Sequence, residues 1–433
     1  MLGYYLELGL RSFRNARALT ALMVISIAMG IGASMTTLTV LHVLSGDPLP
    51  DKSARLFYPQ VDPQDADDYA PGDKPPAQVT WNDGMALLRE HRGERQALMT
   101  GGGVPVQPDQ ASIDPFNVDA RFTSADFFPM FEAPLRFGHA WTAADDDARA
   151  RVAVISSVLN DKLFAGADST GRTLRLNDVA FRIIGVLDAW RPSPHFYDLN
   201  MGGYSNNEDV FVPLATAHEL HMSHNGSTDC WKEHSGESDA ENAPCVWLQY
   251  WVELRSADQA AAYKDYLVHY SQQRKEAGVF QRPPNVALND LNGWLDFNKV
   301  VPSDVRLQVW LALGFLIVCL VNTVGLMLAK FLRRGTELGV RRALGASRRE
   351  IFKQLLVEAG AIGLAGGAGG LLLALGGLWL VRQQPSDYAS LAHLDLAMLG
   401  LTFALSVGAT LVAGLLPAWR ACQVSPALQL KST

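Results

Sequence analysis

Residues 330–353 read KFLRRGTELGVRRALGASRREIFK, a short stretch between two long apolar runs. It holds Lys330, Arg333, Arg334, Arg341, Arg342, Arg348, Arg349 and Lys353 against only Glu337 and Glu350. Short loops between membrane spans with such an excess of Lys and Arg stay on the cytoplasmic side. Inside the stretch, Leu338, Val340, Ala343, Leu344 and Ile351 form a partial apolar stripe at helical spacing, and the arginines fall mostly on other faces. The pattern predicts a short amphipathic helix at the membrane surface, offered to a cytoplasmic partner.

Working outward, apolar runs at residues 18–44, 305–332, 351–381 and 394–416 each reach the roughly 20 residues that a spanning helix requires. The intervening segments then fall into place. Residues 1–17 are a cytoplasmic elbow, 45–304 an external domain, 333–350 the basic loop, 382–393 a short external loop and 417–433 a cytoplasmic tail. The expected fold class is membrane α-helical with four spans and a large mixed α/β external domain of two lobes between the first and second. Arg11, Arg14 and Arg17 beside the first span, and Arg420 and Lys431 after the last, agree with both termini lying inside. The first run is too long for the apolar core of a secretory signal and precedes no small-residue cleavage site, so it reads as a retained helix. At 1.5 Å per residue it reaches ~40 Å, more than the ~30 Å of a hydrocarbon core, and should tilt or project as a stalk.

The whole-chain charge of −7 conceals an asymmetry. Residues 46–304 carry about 22 Lys and Arg against about 38 Asp and Glu, a balance near −16 that argues against a nucleic-acid partner. Of the four cysteines, Cys319 and Cys422 belong to the membrane part. Cys230 and Cys245 lie in the external block, where two thiols in an oxidising compartment predict a disulfide.

Within the external block, residues 47–76 are too rich in Pro, Asp and Gly for a long regular element. Residues 79–95 show a helical pattern. A strand running to Ile155 is followed by a helix ending at Gly166, and a hairpin over 173–187 turns at Asn177-Asp178. Residues 209–213 and 247–254 read as strands, and 256–273 as a polar helix. Alternation on the strand gives Trp247 and Trp251 to the core.

The third span places Gly363 four residues before Gly367, and Gly366 four before Gly370. The first span repeats the spacing with Gly30 and Ser34. Small residues so spaced let helices approach closely in lipid. The run AGGAGG is no phosphate loop, since no Lys-Ser or Lys-Thr follows it. His218, His221 and His224 are weak candidates for a zinc or copper site, and their spacing is not the H-E-x-x-H of zinc proteases. Glu358 lies near the cytoplasmic end of the third span, where a structural ion pair is the expected role. Asn322 in the second span is expected to hydrogen-bond a neighbouring helix.

The segment ELGVRRALGASRREIFKQLLVEA, residues 337–359, resembles the signature that follows the second span in MacB/FtsX-type permeases of ABC transporters. Three other regions share the likeness: LGLRSFRNARALTALMVISIAMGIGASM at the start, VAVISSVLNDKLFAGADSTGRTLRLNDVAFRIIGVL in the external domain, and LLPAWRACQVSPALQL at the end. It is weakest over residues 189–244. The resemblance implies a dimer, with an identical chain or a homologous permease, and a cytoplasmic ABC ATPase at each copy. A periplasmic adaptor and an outer-membrane protein are further expected partners. It also implies mechanotransmission in the bacterial inner membrane, with nucleotide-driven ATPase motion passed through the first two spans to a periplasmic domain.

No G-x-x-x-x-G-K-[ST] occurs in the chain, so ATP and Mg are expected on a separate ATPase subunit, with no cofactor and no catalytic residue on this one. Glu337, Arg341, Arg342 and Arg349 are expected to pair with charges on the ATPase, Arg being suited to bidentate contacts. Leu338, Leu344 and Ile351 would dock apolar faces beside Gly339, and Gly345 would turn the chain between helices. Anionic lipid heads are the competing partner for the arginines. For the whole chain, ATP-driven export or extraction competes with a signalling scaffold that switches a periplasmic cell-wall hydrolase.

Overall fold

The computed structural model describes residues 16–67, 69–108, 113–234, 236–384 and 389–423. Most of the elbow, with Arg11 and Arg14, and the end of the tail, with Lys431, lie outside these. The chain divides into two compact units, one of long helices up to Ser45 and from Val301 onward, the other Gly46–Val300.

Among the described residues, four helices are long and apolar enough to cross a membrane: Arg17–Leu44, Ser303–Arg333, Arg348–Arg382 and Leu396–Gln423. The protein is a multi-pass membrane protein. The fourth helix departs from expectation. It does not stop at 416 but runs through Pro417 to Gln423. Proline removes one ladder hydrogen bond, which neighbouring helices make tolerable in lipid. Here Pro417, Ala418, Ala421 and Cys422 are buried in the bundle, and that packing carries the helix past the break.

The glycines of the third helix form two ridges with separate partners. A Cβ on Gly366 would lie 2.5 Å from Ile27 Cγ2, and one on Gly370 2.7 Å from Ile31 Cγ2, so this ridge receives the first helix. A Cβ on Gly363 would strike Thr410, and one on Gly367 would lie 3.0 Å from Ser406 Oγ, so the other ridge receives the fourth. Ser406 Oγ also donates to the Gly363 carbonyl at 2.6 Å. Gly30 and Ser34 face the second helix instead, with Ser34 Oγ donating to the Ala312 carbonyl at 3.1 Å. Gly366→Val is expected to force the first helix away and to lower the detergent-solubilised yield and melting temperature, a loss of about 1–3 kcal/mol by overpacking. The matched change Gly376→Val, where a Cβ would meet nothing within 4 Å, should cost little by the same thermal-melt assay.

The second unit is built on one continuous eleven-stranded sheet, so the two expected lobes share a single sheet. From edge to edge its main path runs Val286–Asp290, Leu56–Val61, Gln249–Glu253, Arg95–Gln107, Phe116–Thr123, Val210–Pro213, Val152–Ile155, Val179–Leu187 and Leu135–Gly138. Period-two alternation sends neighbours to opposite faces. Leu98, Ala153, Val212 and Tyr250 enter one core, while Ala97, Val154, Phe211 and Trp251 enter the other. Trp247 and Trp251 are thus core residues.

The hairpin Thr173–Leu176 to Val179–Leu187 turns at Asn177 and Asp178, both at positive φ (48° and 66°). Asn and Asp tolerate that region, which the tight two-residue turn requires. Behind the sheet, fully buried Arg121 is bonded to Asp198 at 2.7 Å and to Glu208, while Tyr197 donates to Glu208 at 2.7 Å. This cluster ties residues 195–208 to the central strands.

Candidate functional site

The basic stretch folds as predicted into a short helix, Gly335–Ala343, and its ends are set by local chemistry. Gly345 at φ +102° follows it. The Gly345 amide donates to the Arg342 carbonyl at 3.1 Å and the Ala346 amide to that of Arg341 at 3.0 Å, a Schellman closure that needs a left-handed residue. Two residues on, Ser347 caps the third span. Its Oγ accepts from the Glu350 amide at 3.3 Å while Glu350 Oε2 accepts from the Ser347 amide at 2.9 Å. This capping box reads S-x-x-E in the sequence and holds Arg348 and Arg349 at a fixed helix start.

Under the short helix lies an ion network that sequence reasoning saw only at one point. Glu358 and Lys330 are each 1% exposed. Lys330 Nζ lies 2.6 Å from Glu358 Oε1 and donates to Thr20 Oγ1 at 3.1 Å. Arg334 Nη1 meets the other Glu358 oxygen at 2.9 Å and Arg334 Nε meets Glu337 at 3.0 Å. Glu337 is also 3.1 Å from Arg341, whose second nitrogen donates to Gln354 Oε1 at 3.0 Å. The hydrogen bond from Arg334 holds the Glu337 carboxyl below its ordinary range. One chain of ion pairs therefore joins the second and third spans to the short helix, and the Lys330–Thr20 hydrogen bond ties it to the first. Lys330 lies in the last turn of the second helix and Glu358 in the third, so no spacing along one helix pairs them.

Several loop residues are used inside the molecule. Leu338 (4% exposed) and Ile351 (2%) belong to the bundle core, and Gly339 is buried. Leu338 on the short helix and Ile351 on the third thus pack the basic stretch onto its own bundle, not on the outward side that the sequence predicts. Arg342 Nη1 donates to the Cys422 carbonyl at 3.5 Å. What the helix presents outward is Val340, Leu344 at 83% exposed, and the exposed Arg348 and Arg349 at the start of the third span. Asn322 faces outward from the bundle and makes no side-chain hydrogen bond among the described residues.

The external candidates resolve differently. Cys230 and Cys245 are disulfide-bonded across a small hairpin. The three histidines do not converge. His218 stacks on Trp81 with ring centres 3.9 Å apart, His221 lies 3.7 Å from Glu237 in open solvent, and His224 bonds Thr228 at 3.0 Å. Among the described residues, the one group close enough for a metal is Cys230, His234 and Cys245, whose sulfurs are in the disulfide.

Residues 20–270 match the MacB-like periplasmic core domain, and residues 309–426 match the FtsX-like permease C-terminal domain. The chain belongs to the MacB/FtsX-type ABC permeases. It is 24% identical over 380 residues to the pyoverdine export ATP-binding/permease protein PvdT of Pseudomonas aeruginosa, covering 84% of this chain and 49% of that one. It is 25% identical over 338 residues to the macrolide export ATP-binding/permease protein MacB of Azoarcus sp., covering 76% and 45%. This permease thus spans about half the length of the curated relatives it matches. Among solved structures it is similar to the periplasmic region of MacB from Actinobacillus actinomycetemcomitans, with TM-score 0.38 and 11% identity over 60% of this chain and 99% of that one. As in the family signature, the basic helix of this permease follows its second span.

Proposed function

We propose that this chain is the membrane permease of an ABC exporter in the bacterial inner membrane, with residues Gly46–Val300 in the periplasm. A cytoplasmic ABC ATPase subunit, carrying the ATP and Mg, grips the face of Val340, Leu344, Arg348 and Arg349. The observation that carries this reading is the contrast in that helix, tied to the second and third spans by ion pairs and to the first through the Lys330–Thr20 hydrogen bond on one side, and exposing Val340 and Leu344 on the other. A helix made only to hold lipid heads needs no such anchorage. Nucleotide-driven movement of the ATPase would be passed through the ion chain to the first and second helices and on to the periplasmic unit. The export names of the relatives support transport of a substrate over a purely signalling role.

A second permease copy completes the assembly. The outward ridge Leu311, Gly314, Val318, Val321 and Gly325 repeats every three or four residues on the second helix and carries Asn322, a polar side chain costly to leave in lipid. A periplasmic adaptor and an outer-membrane duct would take the substrate onward. The test is reconstitution of the permease with the ATPase that copurifies from its native membrane. Hydrolysis stimulated by a defined compound, to which deletion strains become sensitive, supports export. A stable complex with a cell-wall hydrolase and no stimulated hydrolysis would replace export by the scaffold reading.

A further inference from the structure

The second unit contains a cavity of about 480 Å³, within the range of small-molecule sites, that the motion-coupling account does not use. One wall is apolar and aromatic: Trp81, Met85 and Leu88 from helix Trp81–Glu90, facing Leu214 from helix Leu214–Glu219. The Trp81 ring is fixed in place by stacking on His218, whose Nε2 is 3.3 Å from the Asp239 carbonyl. The disulfide-closed segment forms the rim. Asn82 Nδ2 donates to Asn242 Oδ1 at 3.1 Å, and this sets Glu241 at the mouth.

The opposite lining is acidic. Asp126, Asp146, Asp147, Glu219 and Glu241 face the cavity against Arg89 and Arg149. Arg149 is paired with Glu219 at 2.7 Å, which leaves Asp126, Asp147 and Glu241, beside a partly protonated Asp146, to one guanidinium. Asp147 and Glu241 have no ion pair among the described residues, and Asp146 Oδ1 is buried without a hydrogen-bond partner of normal geometry. An apolar wall opposite a surplus of carboxylates suits a cation that carries its own apolar surface, because the stem leaves water against Met85, Leu88 and the Trp81 edge while the acids attract its charge. The negative balance of the whole unit would raise the local concentration of such a ligand.

We propose that this cavity binds a small organic cation, an amine or guanidine on an apolar body, with the body against Trp81, Met85 and Leu88 and the charge toward Asp126, Asp147 and Glu241. The site is separate from the ATPase-docking face and is tested without the ATPase. Three probes of one shape separate charge from apolarity: 4-phenylbutylamine, 4-phenylbutanol and 4-phenylbutyrate, titrated calorimetrically at pH 7 into the full chain in nanodiscs. The amine is expected to bind at least tenfold more tightly than the alcohol, and the carboxylate not at all. Asp147→Asn with Glu241→Gln, both exposed and so tolerated by the fold, should weaken the amine about tenfold and leave the alcohol unchanged. Equal binding of amine and alcohol, an unchanged amine affinity in the double variant, or no binding by any probe would each overturn the assignment.

Discussion

Leu344→Asp combined with Arg342→Glu is expected to abolish copurification of the ATPase while leaving expression, membrane insertion and the melting temperature nearly unchanged. Leu344 is 83% exposed, so its replacement removes no packing from this chain. Arg342, half-buried in the last turn of the short helix, donates to the Cys422 carbonyl at 3.5 Å, a long bond whose loss should cost little. At a docked interface the same pair would bury an unpaired carboxylate among apolar groups and reverse one charge. Truncating or mispairing an interface anchor commonly costs 2 kcal/mol or more, about a thirtyfold loss in affinity, and two together should exceed the detection range of a pull-down. Leu338→Asp makes the contrast. Leu338 is interior, so that variant should fail by misfolding and low yield, not by selective loss of the partner.

Glu358→Ala should be the most damaging single change in the membrane unit. It leaves Lys330 and Arg334 without their common carboxylate, and Lys330 is 1% exposed. Breaking a buried pair from one side costs about 3–5 kcal/mol, since the remaining charge has no solvent to relax into. The permease is expected to lose yield in the membrane and to melt many degrees lower in detergent. Glu358→Ala with Lys330→Met removes both members and should recover part of the loss, whereas Lys330→Met alone should be mild because Arg334 still pairs with Glu358. If the double variant melts no higher than Glu358→Ala, the carboxylate is not acting through Lys330.

A third expectation concerns pH. Burial pushes the Asp146 carboxyl up to about 7, beside Asp145 and Asp147, while one of its oxygens accepts from the Ala125 amide at 2.7 Å. A folded value above the unfolded value of about 4 means the folded state holds the proton more tightly, so this group opposes folding increasingly as pH rises from about 4 to 7. Asp146→Asn keeps an acceptor for Ala125 without the charge. It should raise the melting temperature at pH 8 and change it little at pH 4. A variant that gains equally at both would show that the Asp146 pKa is not raised in the folded unit.

Much of this architecture was legible because membrane topology is written in local composition. Twenty apolar residues and a flanking excess of arginine need no tertiary information, and the turn at Asn177-Asp178 states its own geometry. The fourth helix outruns its apolar stretch, which ends at Leu416, because packing of Pro417, Ala418 and Ala421 in the bundle is not visible in local composition. The strand Leu56–Val61, hidden in a Pro- and Asp-rich segment, and the long central strand Arg95–Gln107, interrupted by three glycines, were missed because strand pairing is non-local and overrides propensity. The ion network was half visible. Glu358 stood out as an acid at membrane depth, but its partners Lys330 and Arg334 sit on another helix and read as topological charges. The capping box at Ser347 and Glu350 was present as a pattern and went unused.

The proposed docking face for the ATPase is the outward side of the helix Gly335–Ala343 and its following turn. The most direct measurement places a photo-reactive amino acid at Leu344, irradiates membranes from the native host, and identifies the cross-linked product by mass spectrometry. Gly376, near the opposite end of the third span, serves as the control position. A cross-link from Leu344 to an ABC ATPase that strengthens when nucleotide hydrolysis is blocked, with none from Gly376, is the expected result. Cross-links from Leu344 to lipid alone, with the ATPase still copurifying, would contradict it.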